Sequence, residues 1–188
     1  GTSAIRMAVG LGAQVTVLNL DVERLRYLDD LYGGRIATRA ASAAAVEQAV
    51  CAADVVIGAV LLPGAKAPKL VSRSLVSRMK PGAVVVDVSV DQGGCFETTK
   101  ATTHSDPVYT VDGVLHYGVA NMPGIVPRTS TRALTNATLP YMIRLASDGV
   151  DRAIRSDPGL AQGVNLKDGR VTCQGVADAH GLPFTPVL

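Results

Sequence analysis

GTSAIRMAVGLGAQVTVLNLD (Gly1–Asp21) is the stretch that decides the fold. Its first half gathers Ala4, Ile5, Met7, Ala8, Val9 and Leu11, small and apolar enough for a helix packed closely on a sheet. Gly10 and Gly12 end that helix. Its second half, Gln14–Leu20, is a β-branched apolar run without polar alternation, the pattern of a strand covered on both faces. A helix leading into such a strand is the second half of a β-α-β unit. The strand that normally precedes the helix is absent from the sequence.

The alternation then repeats. DVERLRYLDDLYGG (21–34) spaces Val22, Leu25, Leu28 and Leu31 three apart, with Asp21 as N-cap and Gly33–Gly34 as stop. RIATR (35–39) reads as a short strand and SAAAVEQAVCAA (42–53) as a helix capped by Ser42. DVVIGAV (54–60) is a strand, SRSLVSRMKPG (72–82) a helix with Gly82 beyond its end, and AVVVDVSV (83–90) a strand. VYTVDGVLHYGV (108–119) gives two extended pieces around an Asp-Gly turn. Strands alternating with helices predict an α/β fold, a doubly wound, mostly parallel Rossmann-type sheet. After Pro123 the pattern changes to helices: PRTSTRALTNATLPYMIRLASDG (127–149) carries a stripe of Leu134, Leu139, Met142 and Leu145, interrupted by Pro140, and a KDGR turn follows. The expected division is 1–126, a dinucleotide-binding domain lacking its start, and 127–188, a helical segment.

Bulk properties narrow the class. Of 188 residues, 47% are apolar and 18% charged, enough to bury a sizeable core and too few charges for disorder. A net charge of +2 with scattered Lys and Arg argues against nucleic acid or anionic membrane as a partner, and no apolar run approaches bilayer length. Cys51, Cys95 and Cys173 lie far apart in neither a disulfide nor a zinc pattern, and no signal peptide precedes Gly1. The expectation is a cytoplasmic protein without a metal site.

Ligands of such sheets bind beyond the carboxyl ends of the strands. Asn19 ends the first strand where an acidic side chain would hold an adenosine ribose. Asn19 can bond a ribose but lacks the charge that repels a 2′-phosphate, and Asp21 reads as a cap. Ala59, Val60 and Leu61 can wall a flat nucleotide, with Pro63 and Gly64 stiffening the turn beyond; Lys66 and Lys69 read as solvated. Asp87, inside an apolar run, reads as a satisfied structural carboxylate. Asp91 fits a turn carboxylate and a group beside a reactive ring equally well, and Gly93–Gly94 would let backbone approach a ligand. Asn121 fits a ring carboxamide or a turn amide, with Met122 as soft apolar contact. His104, His116 and His180 form no ligand spacing, and Cys95 reads as a packed thiol.

Five runs carry a family resemblance: GAVLLPGAKAPKLV (58–71), MKPGAVVVDVSVDQGGCFETT (79–99), TTHSDPVY (102–109), VANMPGIVPRTST (119–131) and ALTNATLPY (133–141). Through them the whole length resembles alanine dehydrogenase, of the group shared with the NAD-binding subunit of proton-translocating transhydrogenase. The resemblance implies NAD as cofactor, L-alanine and pyruvate as substrates, and a homo-oligomer, hexameric in the family. It places Gly1 on the third glycine of the dinucleotide fingerprint. It makes residues from about Pro127 the returning part of a discontinuous substrate domain whose first part holds the substrate-binding Arg and Lys and a catalytic His. Asp91 matches the catalytic aspartate; Val119, Asn121 and Met122 match the nicotinamide-side wall. Ala59, Val60 and Leu61 match the nucleotide-contacting turn, and Ser42 an adenine-side contact. Asn19 departs from the family's ribose-binding Asp. Two other classes stay open, a non-catalytic dinucleotide module of the transhydrogenase kind and a structural or interaction piece. The chain alone is expected to be inactive.

Overall fold

The computed structural model describes residues 1–62 and 64–187; Pro63, read above as stiffening a turn, lies outside the described residues. The chain divides into two compact units. The first comprises Gly1–Leu61 and Ala67–Ala120, the second Leu62–Lys66 and Asn121–Leu188.

In the first unit, α1 (Thr2–Gly10) leads into β1 (Val15–Asn19), α2 (Val22–Tyr32), β2 (Ile36–Ala40), α3 (Ala43–Ala52) and β3 (Val55–Gly58). Then come α4 (Arg73–Val76), β4 (Val84–Asp87) and the hairpin β5 (Val108–Val111) and β6 (Val114–Tyr117). The two caps expected from sequence are made: Asp21 accepts from the Arg24 N–H at 3.1 Å and Ser42 from the Ala45 N–H at 3.1 Å. The helix expected from Ser72, with Gly82 beyond its end, contracts to Arg73–Val76. Arg78 and Met79 donate to Leu75 and Val76, three residues back, so the chain tightens before Pro81 can interrupt an α-helical turn.

β1 pairs with β2 in parallel, Val15 opposite Ile36 through Asn19 opposite Ala40. A second sheet has the order β3-β4-β6-β5, parallel except for the β5–β6 hairpin, which turns through Asp112–Gly113 in left-handed backbone. Ile5, Leu28, Tyr32 and Ile36 pack into one cluster, with Val15 and Val17 against it. Val71, Leu75, Val76, Val85, Phe96 and Val114 are among a larger one under the second sheet.

The edges of the two sheets define the unit's open side. Ala41 N–H donates to Asn19 O at 2.9 Å, so Asn19, and by alternation Val17 and Val15, turn their main-chain groups to β2. Those of Thr16 and Leu18 point the other way. On β3, Asp54 O and Gly58 O accept from Val84 and Val88 of the β4 side, which leaves Val55 and Ile57 pointing outward. Their side chains are exposed as well. Helix α1 starts beside the end of β3: a Cβ on Gly1 would stand 3.8 Å from the Ala59 Cβ. From there α1 runs back to the amino end of β1.

The second unit holds α5 (Pro127–Asp148), α6 (Val150–Ser156), α7 (Pro158–Gln162), α8 (Gln174–His180) and a two-residue hairpin, β7 (Leu166–Lys167) with β8 (Arg170–Val171), at the expected KDGR turn. Helix α5 runs through Pro140 and buries none of its 22 residues; Leu134 (65%) and Met142 (62%) of the expected stripe are exposed. Ala153 and Ile154 of α6 are buried, and Lys167–Asp151 (2.6 Å) and Arg144–Asp157 ion pairs tie neighbouring pieces together. Among the described residues no helix is long and apolar enough to cross a membrane.

Candidate functional site

The carboxyl end of β4 is organised around one buried carboxylate. Asp87, 2% exposed, accepts from the main-chain N–H of Ser89 (3.0 Å) and Cys95 (2.9 Å) and from the Thr99 hydroxyl. A buried charge is tolerable only with such partners, and here they close the loop 88–99 into a fixed shape. Gly94 is required for that closure: a Cβ there would lie 2.5 Å from Asp87 Oδ2, and its φ is +75°. The glycine read as making room for a ligand thus makes room for Asp87. Gly58 on β3 is equally constrained, since a Cβ would stand 2.2 Å from Cys95 Sγ.

Cys95 is a packed thiol, as its sequence context suggested. Burial, and then the charge of Asp87, push it up from 9.0 to about 12. The fold therefore favours the neutral thiol, a contribution to stability that is complete below pH 9 and lost as pH rises toward 12. At pH 8 an alkylating reagent is expected to modify the half-buried Cys51 and Cys173 in the folded chain and to spare Cys95, read by peptide mass. Equal labelling of all three would show that this interior opens freely.

Asp91 stands on a single 3-10 turn, Val90–Gln92, directly after β4. It is exposed, and among the described residues its carboxylate makes no hydrogen bond or ion pair. Everything around it is tied. Ser89 donates its hydroxyl to Val60 O (2.8 Å) and accepts from Val60 N–H (2.9 Å), which pins the Ala59–Leu61 turn to the turn carrying Asp91. Lys69 is exposed, as expected of a loop lysine, and its ammonium also donates to Gly93 O (2.5 Å) and Phe96 O (3.0 Å), clasping the same loop. Sequence could not show either link, because both partners are main-chain atoms about 25 or 30 residues away. Gln92 Oε1, next to Asp91, is buried without a partner among the described residues.

A second group gathers at the end of β1. Asn19 Oδ1 accepts from Asp21 N–H at 3.0 Å, which fixes the amide and leaves both N–H donors available. Arg24, from α2, extends to the first turn of α1 and donates to Thr2 Oγ1 at 2.8 Å, its guanidinium also 4.9 Å from the Tyr27 ring. The first turn of α1 carries no acidic residue, and its leading N–H groups have no partner within the helix. Arg24 was not singled out in sequence; its place three residues after a cap was the available signal.

The remaining expected residues fall as follows. Ser42 is occupied as the α3 cap. Ala59 and Leu61 are exposed. Val119 is fully buried at 0% exposure, so its side chain belongs to the core and only its main chain can border a ligand. Asn121, in left-handed backbone, opens a 3-10 turn with Met122, and its carbonyl accepts from Gly124 N–H at 2.9 Å; both residues belong to the second unit. His116 is buried against Tyr109, bonded to Val114 O and the Thr98 hydroxyl, which makes it part of the framework. No cluster of metal ligands forms among the described residues.

Comparison with known proteins adds what geometry leaves open. The family described as alanine dehydrogenase/PNT, C-terminal domain, matches residues 1–174. The chain is 57% identical over 184 residues to alanine dehydrogenase of Halomonas elongata and 55% identical over 185 residues to that of Mycobacterium tuberculosis. Each match covers 98% of this chain and 50% of the relative, so the chain spans about half the length of the curated relatives it matches. Among solved structures, an L-alanine dehydrogenase superposes with a TM-score of 0.83 at 50% identity, covering 96% of this chain and 50% of that one. A transhydrogenase from Sinorhizobium meliloti follows at 0.54 and 35%, covering 63% and 33%.

Proposed function

The chain belongs to the alanine dehydrogenase/PNT C-terminal domain family, and from that membership we propose that it is the dinucleotide-binding half of an L-alanine dehydrogenase. The reaction is L-alanine, NAD and water to pyruvate, ammonium, NADH and a proton. We assign residues 1–126 to the dinucleotide domain and 127–188 to the returning helices of a second, discontinuous domain. The single observation that carries the reading is Asp91: an exposed carboxylate without a partner among the described residues, on a turn held from three sides, at the end of a central parallel strand.

The residues present fit the cofactor. The start of α1 offers N–H groups and no opposing carboxylate to a pyrophosphate, Asn19 can donate to a ribose, and the exposed Ala59 and Leu61 flank the half-buried Val60 beside Gly1. Bound there, NAD would supply the hydride acceptor. Asp91 would accept a hydrogen bond from the substrate amine, or from the water that attacks the imine, and hold a proton in transit. Asp87, Ser89 and Lys69 keep that carboxylate in place. Val119 by its main chain, with Asn121 and Met122, is assigned to the nicotinamide side, and Ser42 to the adenine side. The exposed Leu134, Leu139 and Met142 of α5 support association with further protein, which we take to be the rest of the subunit and its copies.

The test joins the first half of the Halomonas elongata relative to Gly1 and measures alanine-dependent NADH formation. Turnover is expected from the fusion and negligible turnover from the 188-residue chain alone. A fusion that folds and binds NADH but never oxidises alanine would favour a non-catalytic module of the transhydrogenase kind. That second reading rests on the Sinorhizobium meliloti similarity, which is weaker in identity and coverage.

A further inference from the structure

The end of β1 is built for a different charge from the one that selects NAD. In a dinucleotide fold, the residue ending this strand faces the adenosine ribose. A carboxylate there accepts from the 2′-hydroxyl and repels a 2′-phosphate, whereas a nearby Arg accommodates the phosphate. Asn19, a neutral amide, occupies this place, and its oxygen is held by the Asp21 N–H, which directs that end of the amide toward the main chain. What it presents is a pair of donors, which suit a phosphate oxygen as well as a hydroxyl.

Two further features agree. Arg24 reaches past the end of β1 to Thr2 at the start of α1, so a guanidinium stands between the two elements that would flank the ribose. Thr2 is a neutral partner, which leaves the Arg24 charge uncompensated by a carboxylate there. Of the neighbouring acids, Glu23 pairs with Arg26 at 2.5 Å, and Asp21 is bound at the N-terminus of α2 through the Arg24 N–H, where the helix offsets its charge.

We propose that this site has lost discrimination against the 2′-phosphate and takes NADP(H) as well as NAD(H), with Asn19 and Arg24 as the specificity-determining residues. The inference rests on the dinucleotide-binding reading above and deepens it. It concerns the adenosine end, so it is independent of the role given to Asp91.

The experiment is fluorescence titration of the folded fusion with NADH and with NADPH, a readout of binding rather than turnover. The two dissociation constants are expected to agree within about threefold. Asn19→Asp is expected to weaken NADPH at least about tenfold while NADH holds or tightens, since it restores a like charge beside the phosphate. Arg24→Ala is expected to weaken NADPH by a similar factor and NADH by less than about twofold. NADPH binding more than about thirtyfold weaker than NADH in the parent, or an Asn19→Asp variant with an unchanged ratio, overturns the proposal. Binding of neither dinucleotide overturns the underlying reading as well. Should a variant fail to fold, thermal shifts of the parent fusion with 2′,5′-ADP against 5′-ADP decide: an equal or larger shift with the 2′-phosphate supports the inference, and none with it, beside a clear shift with 5′-ADP, removes it.

Discussion

Asp91→Ala, placed in the fusion with the first half of the Halomonas elongata relative, is expected to lower kcat for alanine oxidation by about a hundredfold to ten-thousandfold, the range removed with a positioned acid–base group. The stability of the protein should hardly change, because the Asp91 carboxylate has no partner to lose among the described residues. The folded loop around it depends instead on Asp87, whose three strong acceptor contacts are untouched by the substitution. Binding of NADH should persist, since no cofactor phosphate or ribose contact is assigned to this residue. The measurement is kcat and KM for alanine beside a thermal midpoint and an NADH titration. Asp91→Asn separates charge from shape: an amide can still donate and accept, but it cannot take up a proton. Retained turnover in either variant would leave the turn after β4 without a chemical role. A fall in the thermal midpoint equal to that of a core substitution would mean that Asp91 is structural after all.

The contrast between Asp87 and Asp91 shows what could be read before the structure and what could not. Both acids sit within five residues, and position alone separated them: Asp87 within the apolar run, Asp91 at its end. The structure keeps that distinction and supplies its cause in the Ser89, Cys95 and Thr99 donors. Strands such as VTVLN and VVVD were legible because β-branched residues in unbroken runs have few other places to go. Asp21 and Ser42 were legible because a cap acts within three residues. What the sequence did not show was anything set by contacts at a distance. The helix expected from Ser72 lost its last turns where three-residue bonds took over, the exposed Lys69 found two carbonyls, and Val119 buried its side chain. A single sequence carries side-chain chemistry and local spacing, while these outcomes depend on which main-chain atoms the fold brings near.

The open side of the first unit leads to the other large effect. Among the described residues β1 and β3 each pair on one edge only, and Thr16, Leu18, Val55 and Ile57 turn their N–H and C=O groups to the other edges. Helix α1 begins at the carboxyl end of β3, beside Ala59, and delivers the chain to the amino end of β1. A segment entering α1 from a strand parallel to β1 and β3 would make the right-handed crossover that β-α-β units require. It would also pair both edges at once and cover Val55 and Ile57. Amide exchange of Thr16, Leu18, Val55 and Ile57 is therefore expected to be fast in the 188-residue chain. It should slow at least about a hundredfold when the first half of the Halomonas elongata relative precedes Gly1, as edge amides become interior ones. Amides of β4 and β6, already paired, serve as the internal reference. Apolar edges left open also invite pairing between copies, so the chain alone should elute from a sizing column as associated species and the fusion as one defined species. Equal exchange in the two proteins, with the β4 amides protected in both, would mean that these edges stay unpaired in the longer polypeptide and that the two sheets are closed by something other than a strand.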